Sequence, residues 1–206
     1  MGVDPVTAAV FLDRDGVLNE LIFNPATGQY ESPHRPEDLV VIDGVIPALR
    51  RLARAGFALF VVSNQPSYAK GKTTFENIQG IHRRLEGSLS ANGIAFGDYF
   101  YCYHHPDGIV PGYSQKCRCR KPMPYFLLKA ASERGVDLAT SWMVGDQDTD
   151  VECGQRVGCR TALVTNAHSA AKRGCSRPDV TATALSHVVD LIVRWKGGGD
   201  NGPAED

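Results

Sequence analysis

Excess charge of either sign is missing from this chain: 22 Lys and Arg stand against 23 Asp and Glu, a formal net charge of −1. That balance gives no electrostatic case for nucleic acid or an anionic membrane as a partner. Long hydrophobic runs are absent as well, so no segment approaches the roughly 20 apolar residues of a membrane-spanning helix. The first ten residues have neither the basic start nor the apolar run of a secretory signal, and a cytoplasmic location is expected. Cysteine is sparse, six in 206 residues. Without a signal segment these six do not read as a disulfide framework. No internal repeat is present, which sets repeat architectures aside.

What remains is ordinary for a globular protein, with 43% hydrophobic and 22% charged residues. One domain over residues 1–196 is expected, followed by a disordered tail at 197–206, where the chain reads GGDNGPAED after Gly197. Apolar strands alternate with amphipathic helices. Strands are expected at 8–12, 58–62, 99–103, 142–144 and 161–164. Helices are expected at 46–55, 74–91, 125–134, 148–157 and 182–195, several with a Gly stop signal. This alternation predicts an α/β fold, a mostly parallel Rossmann-like sheet with helices on both faces. Two stretches, 24–38 and 104–124, read as long loops. Cys153 and Cys159, in and just after a helix, read as small core residues.

Four segments carry chemistry. The first is Asp13-Arg-Asp-Gly16 at the end of an apolar strand. Alternate side chains of an extended backbone share a direction, so Asp13 and Asp15 are expected to face one pocket. Their repulsion suits Mg²⁺, and a carboxylate can also attack phosphorus. Taken alone, the motif is equally an Asp-Gly turn. The second is Ser63-Asn64-Gln65, whose hydroxyl, amides and backbone N–H groups suit phosphoryl oxygens. Third comes Arg120-Lys121-Pro122, a forked donor and a point charge for phosphate. The fourth is Gly145-Asp146 with Asp150 one helical turn later; Asp146 suits a Mg²⁺ ligand and Asp150 a supporting position behind it.

A separate constellation is Cys102-x-His104 with Cys117-x-Cys119. Three thiols and an imidazole make a closed tetrahedral Zn²⁺ site, structural because no coordination position stays open.

The ordered set of D-x-D-G, Ser-Asn-Gln, Arg-Lys-Pro and G-D-x-x-x-D resembles the haloacid dehalogenase-like phosphatase superfamily over residues 8–195. F-L-D-R-D-G and V-V-S-N-Q are similar to its branch of heptose bisphosphate and histidinol phosphatases. The resemblance implies a phosphomonoesterase using Mg²⁺ and an aspartyl-phosphate intermediate. Asp13 would be the nucleophile and Asp15 the general acid and base. Ser63 would bind the transferring phosphoryl group, and Lys121 would neutralise its charge. Mg²⁺ would be held by Asp13, Asp146 and the Asp15 carbonyl, with Asp150 behind them. Asn64, Gln65 and Arg120 would contact substrate. The branch also carries a zinc loop matching Cys102, His104, Cys117 and Cys119; His105 would not be a ligand. Twelve residues separate His104 from Cys117, a spacer resembling the heptose type more than the shorter histidinol type. Ser63, Pro66, Tyr125 and Gln147 depart from the branch around the substrate. The spacer makes a heptose 1,7-bisphosphate the expected substrate, with histidinol phosphate or another polyol phosphate as the alternative. A catalytically silent zinc-stabilised domain is the alternative of another class. No stretch is long enough for a large cap domain, and a monomer with a small phosphorylated metabolite as partner is expected.

Overall fold

The computed structural model describes residues 7–197. The chain runs β1 (Thr7–Leu12), β2 (Ile22–Asn24), β3 (Gln29–Glu31), α1 (Val45–Arg54), β4 (Ala58–Asn64), α2 (Phe75–Ala91) and β5 (Asp98–Cys102). It continues through α3 (Tyr125–Arg134), β6 (Val136–Gly145), α4 (Asp148–Gln155), β7 (Arg160–Val164), β8 (Val180–Ala182) and α5 (Leu185–Gly197). Six strands form one sheet in the order β5-β4-β1-β6-β7-β8, and every neighbouring pair is parallel.

Parallel strands need crossovers, and the helices that supply them cover both faces. One face joins Val10, Leu12, Leu59 and Val61 to Leu49 and Leu52 of α1, Ile81 and Leu85 of α2, and Val188 and Ile192 of α5. The opposite face joins Ala9, Phe11, Phe60 and Val62 to Leu127 and Ala130 of α3 and to Cys153 of α4. Alternate residues of β1 thus feed two cores, which is why its sequence is apolar throughout rather than alternating. Cys153 and Cys159 are both buried in the second core, as expected for small apolar residues.

The sheet runs outward in two directions from the β1–β6 pair. Such a switch point leaves a crevice at the carboxyl ends of the strands, where ligands of these sheets bind. Asp13 follows β1, Ser63 lies near the end of β4, and Asp146 follows β6.

Three stretches of the chain differ from the sequence reading. β6 begins at Val136 instead of 142, because its polar first half pairs with Thr7 and Ala8 before a register irregularity. Ser141 bridges that irregularity by accepting a hydrogen bond from the Ala9 N–H at 2.8 Å. A short edge strand, β8, precedes α5, which starts at Leu185 rather than 182. The expected loop at 24–38 contains half of an antiparallel hairpin, β2 with β3. Its turn is closed by Asn24, whose Oδ1 accepts from the Ala26 N–H at 3.0 Å, and by Gly28 at φ +66°. Strands of three residues carry too little periodicity to stand out in a sequence. The expected tail at 197–206 lies, beyond Gly197, outside the described residues.

Candidate active site

The β1 ladder continues one residue past the strand, with the Asp13 N–H donating to the Val144 carbonyl at 2.9 Å. The chain then turns: Leu18 and Asn19 donate to the Arg14 carbonyl at 2.8 and 3.1 Å, and Gly16 donates to the Asn19 carbonyl at 2.8 Å. Gly16 has φ +84°, and a Cβ there would lie 2.4 Å from Asp146 Oδ2. Both the backbone conformation and the close approach of β6 therefore require glycine.

Asp13, Asp146 and Asp150 bring carboxylate oxygens within 4.8 Å of one another, all three residues being buried. Lys121 sits against two of them, its Nζ lying 2.9 Å from Asp13 Oδ1 and 2.7 Å from Asp150 Oδ1. The same ammonium donates to the Val62 carbonyl at 2.6 Å. Burial opposes its charge, but Asp13 and Asp150 more than offset this and hold its pKa above the ordinary lysine value. Asp150 is the cap of the β6–α4 turn, accepting from the backbone N–H groups of Asp146 and Gln147 at 3.2 and 3.1 Å. Burial pushes its pKa up to about 6 against the pull of Lys121.

Asp146 is the exposed need in this cluster. Neither of its buried carboxylate oxygens meets a hydrogen-bond donor among the described residues. Burial, then the charges of Asp13 and Asp150, push its pKa up to about 7. One lysine cannot neutralise three buried carboxylates, and an orphaned carboxylate is costly. A hard divalent cation with oxygen ligands meets both demands, so the residues fit Mg²⁺.

Asp15 lines the same pocket as Asp13 but points elsewhere. Its Oδ1 accepts from Arg14 Nη2 at 2.8 Å and Asn19 Nδ2 at 3.0 Å, and its Oδ2 accepts from Gln65 Nε2 at 2.6 Å. The side chains of Asp13 and Asp15 thus share a pocket without sharing partners. Arg14 and Asn19, unmarked in the sequence reading, complete this arrangement.

The Ser-Asn-Gln segment splits its tasks. Ser63 is buried and its Oγ accepts from Gln65 Nε2 at 3.0 Å. Gln65 lies beneath the pocket, spent on Ser63, Asp15 and Arg14. Asn64 lines the pocket, but its amide clasps the Lys121 backbone: Nδ2 donates to the carbonyl at 3.1 Å and Oδ1 accepts from the N–H at 3.0 Å. In this structure the two amides make contacts that hold the lysine and Asp15.

Around the mouth stand Lys70, Lys72, Arg120 and Lys172, with Gln29, Tyr30 and Glu31 of the β2–β3 hairpin opposite, enclosing a pocket of about 240 Å³. Glu31 ties the hairpin down through Lys72 Nζ at 2.5 Å, and Tyr30 stacks on His168 with ring centroids 3.6 Å apart. Burial lowers the pKa of Arg120, whose Nη1 donates to the His104 carbonyl at 3.3 Å.

That contact leads to the cysteine loop. The Sγ atoms of Cys102, Cys117 and Cys119 lie 3.3–3.4 Å apart in every pairing, and His104 Nδ1 is 3.6 Å from Cys119 Sγ. No disulfide joins them. A tetrahedron of Zn–S bonds near 2.3 Å has edges of about 3.8 Å, so the four ligand atoms fit Zn²⁺ after a slight expansion. Cys119, Arg120 and Lys121 are consecutive, so the loop and the buried lysine share one backbone.

Comparison with known proteins agrees with this geometry. A family model for HAD-hydrolase-like proteins matches residues 118–189. The D-glycero-β-D-manno-heptose-1,7-bisphosphate 7-phosphatase of Yersinia pestis is 37% identical over 190 residues, 91% of this chain and 97% of that protein. The enzyme of the same name from Escherichia coli K12 is 39% identical over 144 residues, 70% of this chain and 71% of that one. Among solved structures, the D,D-heptose 1,7-bisphosphate phosphatase of B. bronchiseptica, complexed with magnesium and phosphate, superposes with a TM-score of 0.73 at 26% identity, covering 91% of this chain and 99% of that one. No helix among the described residues is long and apolar enough to cross a membrane. With 37% identity across nearly the whole of the Yersinia pestis relative and an acidic cluster at the sheet's switch point, the chain belongs to the heptose-bisphosphate phosphatase family of haloacid dehalogenase-like phosphoric monoester hydrolases.

Proposed function

We propose that this protein removes the 7-phosphate of D-glycero-D-manno-heptose 1,7-bisphosphate through an aspartyl-phosphate intermediate. The observation that carries the reading is the buried set of Asp13, Lys121, Asp146 and Asp150 with the orphaned oxygens of Asp146. Asp13 attacks phosphorus in line, and the P–O bond to the sugar breaks. Asp15 protonates the departing oxygen and then takes a proton from the water that attacks the phosphorylated Asp13. Ser63 holds a phosphoryl oxygen. Lys121 balances charge on Asp13 and on the transferring group, while Asp150 and Asn64 keep that lysine in place. Mg²⁺, when bound, supplies Lewis-acid stabilisation of the phosphoryl charge; Asp13, Asp146 and the Asp15 carbonyl would hold it.

The substrate class rests on the relatives' printed activity and on the cations at the pocket mouth. A second phosphate on the same sugar suits Arg120, Lys70 and Lys172, all of which line this pocket. Zn²⁺ on Cys102, His104, Cys117 and Cys119 fixes the backbone that carries Arg120 and Lys121, a structural role.

The test is phosphate release, with Mg²⁺, from heptose 1,7-bisphosphates of both anomers, histidinol phosphate and simple sugar phosphates, beside the Asp13→Asn variant. A preference for a heptose bisphosphate, lost in the variant, is expected. Preference for a monophosphate would remove the bisphosphate reading and leave the chemistry.

A further inference from the structure

Arg14 lies between the two carboxylates of the D-x-D motif, yet it is 1% exposed and does not line the active-site pocket. Burying a guanidinium is costly unless its N–H groups are directed at acceptors. Here Nε and Nη2 are. Nε and Nη2 reach Asp15 Oδ1 at 3.1 and 2.8 Å, and Nη2 also reaches Gln65 Oε1 at 2.8 Å. The guanidinium carbon lies 5.8 Å from the centroid of the Tyr101 ring. Gln65 returns the contact to the same carboxylate, donating from Nε2 to Asp15 Oδ2 at 2.6 Å.

A carboxylate offers about four lone-pair positions. Arg14 and Asn19 occupy Oδ1. On Oδ2, Gln65 donates at 2.6 Å and Arg14 Nη2 at 3.1 Å. Three side chains thus hold both oxygens of the carboxylate in one orientation.

We infer that Arg14 is a positioning residue: with Gln65 and Asn19 it locks the orientation of the Asp15 carboxylate that accepts the proton from attacking water. This deepens the proposed function and rests on its assignment of Asp13 and Asp15. In that half of the reaction a water oxygen bonds to phosphorus, the P–O bond to Asp13 breaks, and its electron pair returns to the Asp13 carboxylate. The water proton passes to the Asp15 carboxylate, and inorganic phosphate departs. A lysine at position 14 would keep the charge but lacks the planar fork that meets Asp15 and Gln65 together.

The hydrolytic half can be isolated with p-nitrophenyl phosphate, whose leaving group departs without a proton. The quantity to measure is the fraction of Mg²⁺-loaded enzyme trapped as acid-quenched phosphoenzyme during steady turnover, in the natural chain, Arg14→Lys and Gln65→Met. Both variants should turn over about tenfold or more slowly, and the trapped fraction should rise, since a well-placed general base contributes about 10²–10⁴-fold. Slower turnover with no rise in the trapped fraction would mean a merely structural role and overturn the inference. So would unchanged turnover. If circular dichroism shows Arg14→Lys to be unfolded, Gln65→Met alone decides by the same comparison. Asp13→Asn, run alongside, should give neither turnover nor phosphoenzyme; turnover there would overturn the nucleophile assignment, whatever Arg14 does.

Discussion

Asp13 can be tested with little risk to the fold, because it faces Lys121 and not a core. Asp13→Asn should abolish phosphate release while circular dichroism and melting temperature stay close to those of the natural chain. Gly16 makes the complementary case. An alanine there must adopt a left-handed conformation and place its Cβ against Asp146 Oδ2. Gly16→Ala should therefore lose at least about 1 kcal/mol in denaturant unfolding and weaken Mg²⁺ binding measured by calorimetry. Unchanged binding would show that the turn has room to shift. At this scale the motif residues were legible in the sequence because strand-end carboxylates and a strand-end hydroxyl have few other reasons to recur in that order. Arg14 and Asn19 were not legible. An arginine between two aspartates looks like surface charge alternation until the fold buries it.

The hairpin β2–β3 is the element with the least sequence signal and a place at the pocket wall. Its anchor is Glu31, whose carboxylate meets Lys72, Thr27 and Asn24. Burial opposes its ionisation, but those three donors prevail and lower its pKa from 4.5 to about 2. A carboxylate with a depressed folded-state pKa stabilises the fold above its unfolded pKa and loses that contribution as pH falls through the folded one. The stability difference between the natural chain and Glu31→Gln should thus be complete above about pH 4.5 and fade toward about pH 2. Melting curves across that window test it; a constant difference would remove Glu31 as an ionic anchor. Glu31 is partly solvated, so the whole difference should be small, about 1 kcal/mol or less. The cysteine loop is a second irregular element, and here the sequence was informative, since the C-x-H and C-x-C spacing is itself a ligand set. Cys117→Ser should lower the zinc content measured by atomic absorption and the melting temperature together.

For the whole molecule, the cysteine–histidine loop and the acidic cluster are joined by the consecutive residues Cys119, Arg120 and Lys121. Removing zinc with a chelator should release that backbone. Melting temperature should fall by several degrees, as expected when roughly 2 kcal/mol is lost from a domain of this size, and phosphatase activity should fall with it. Full activity in protein shown to be zinc-free would separate the loop from the lysine. The sheet order matters at this scale as well. Because β1 lies between β4 and β6, the ends of these three strands deliver Asp13, Ser63 and Asp146 to one crevice.

The sequence by itself determined the β-α alternation, the strand ends that carry acids and a hydroxyl, the cluster of cysteines and histidine that could hold a metal, and the positions of nearly all helices. These are properties of chain order and local periodicity, which short-range sterics and apolar spacing dictate. Only the tertiary structure decided which partner each functional side chain takes. Gln65 meets Asp15 across 50 residues of chain and Asn64 meets Lys121 across 57. Such pairings depend on which strands become neighbours and how far each turn carries its side chain. Long-range packing fixes both, and local sequence leaves them open.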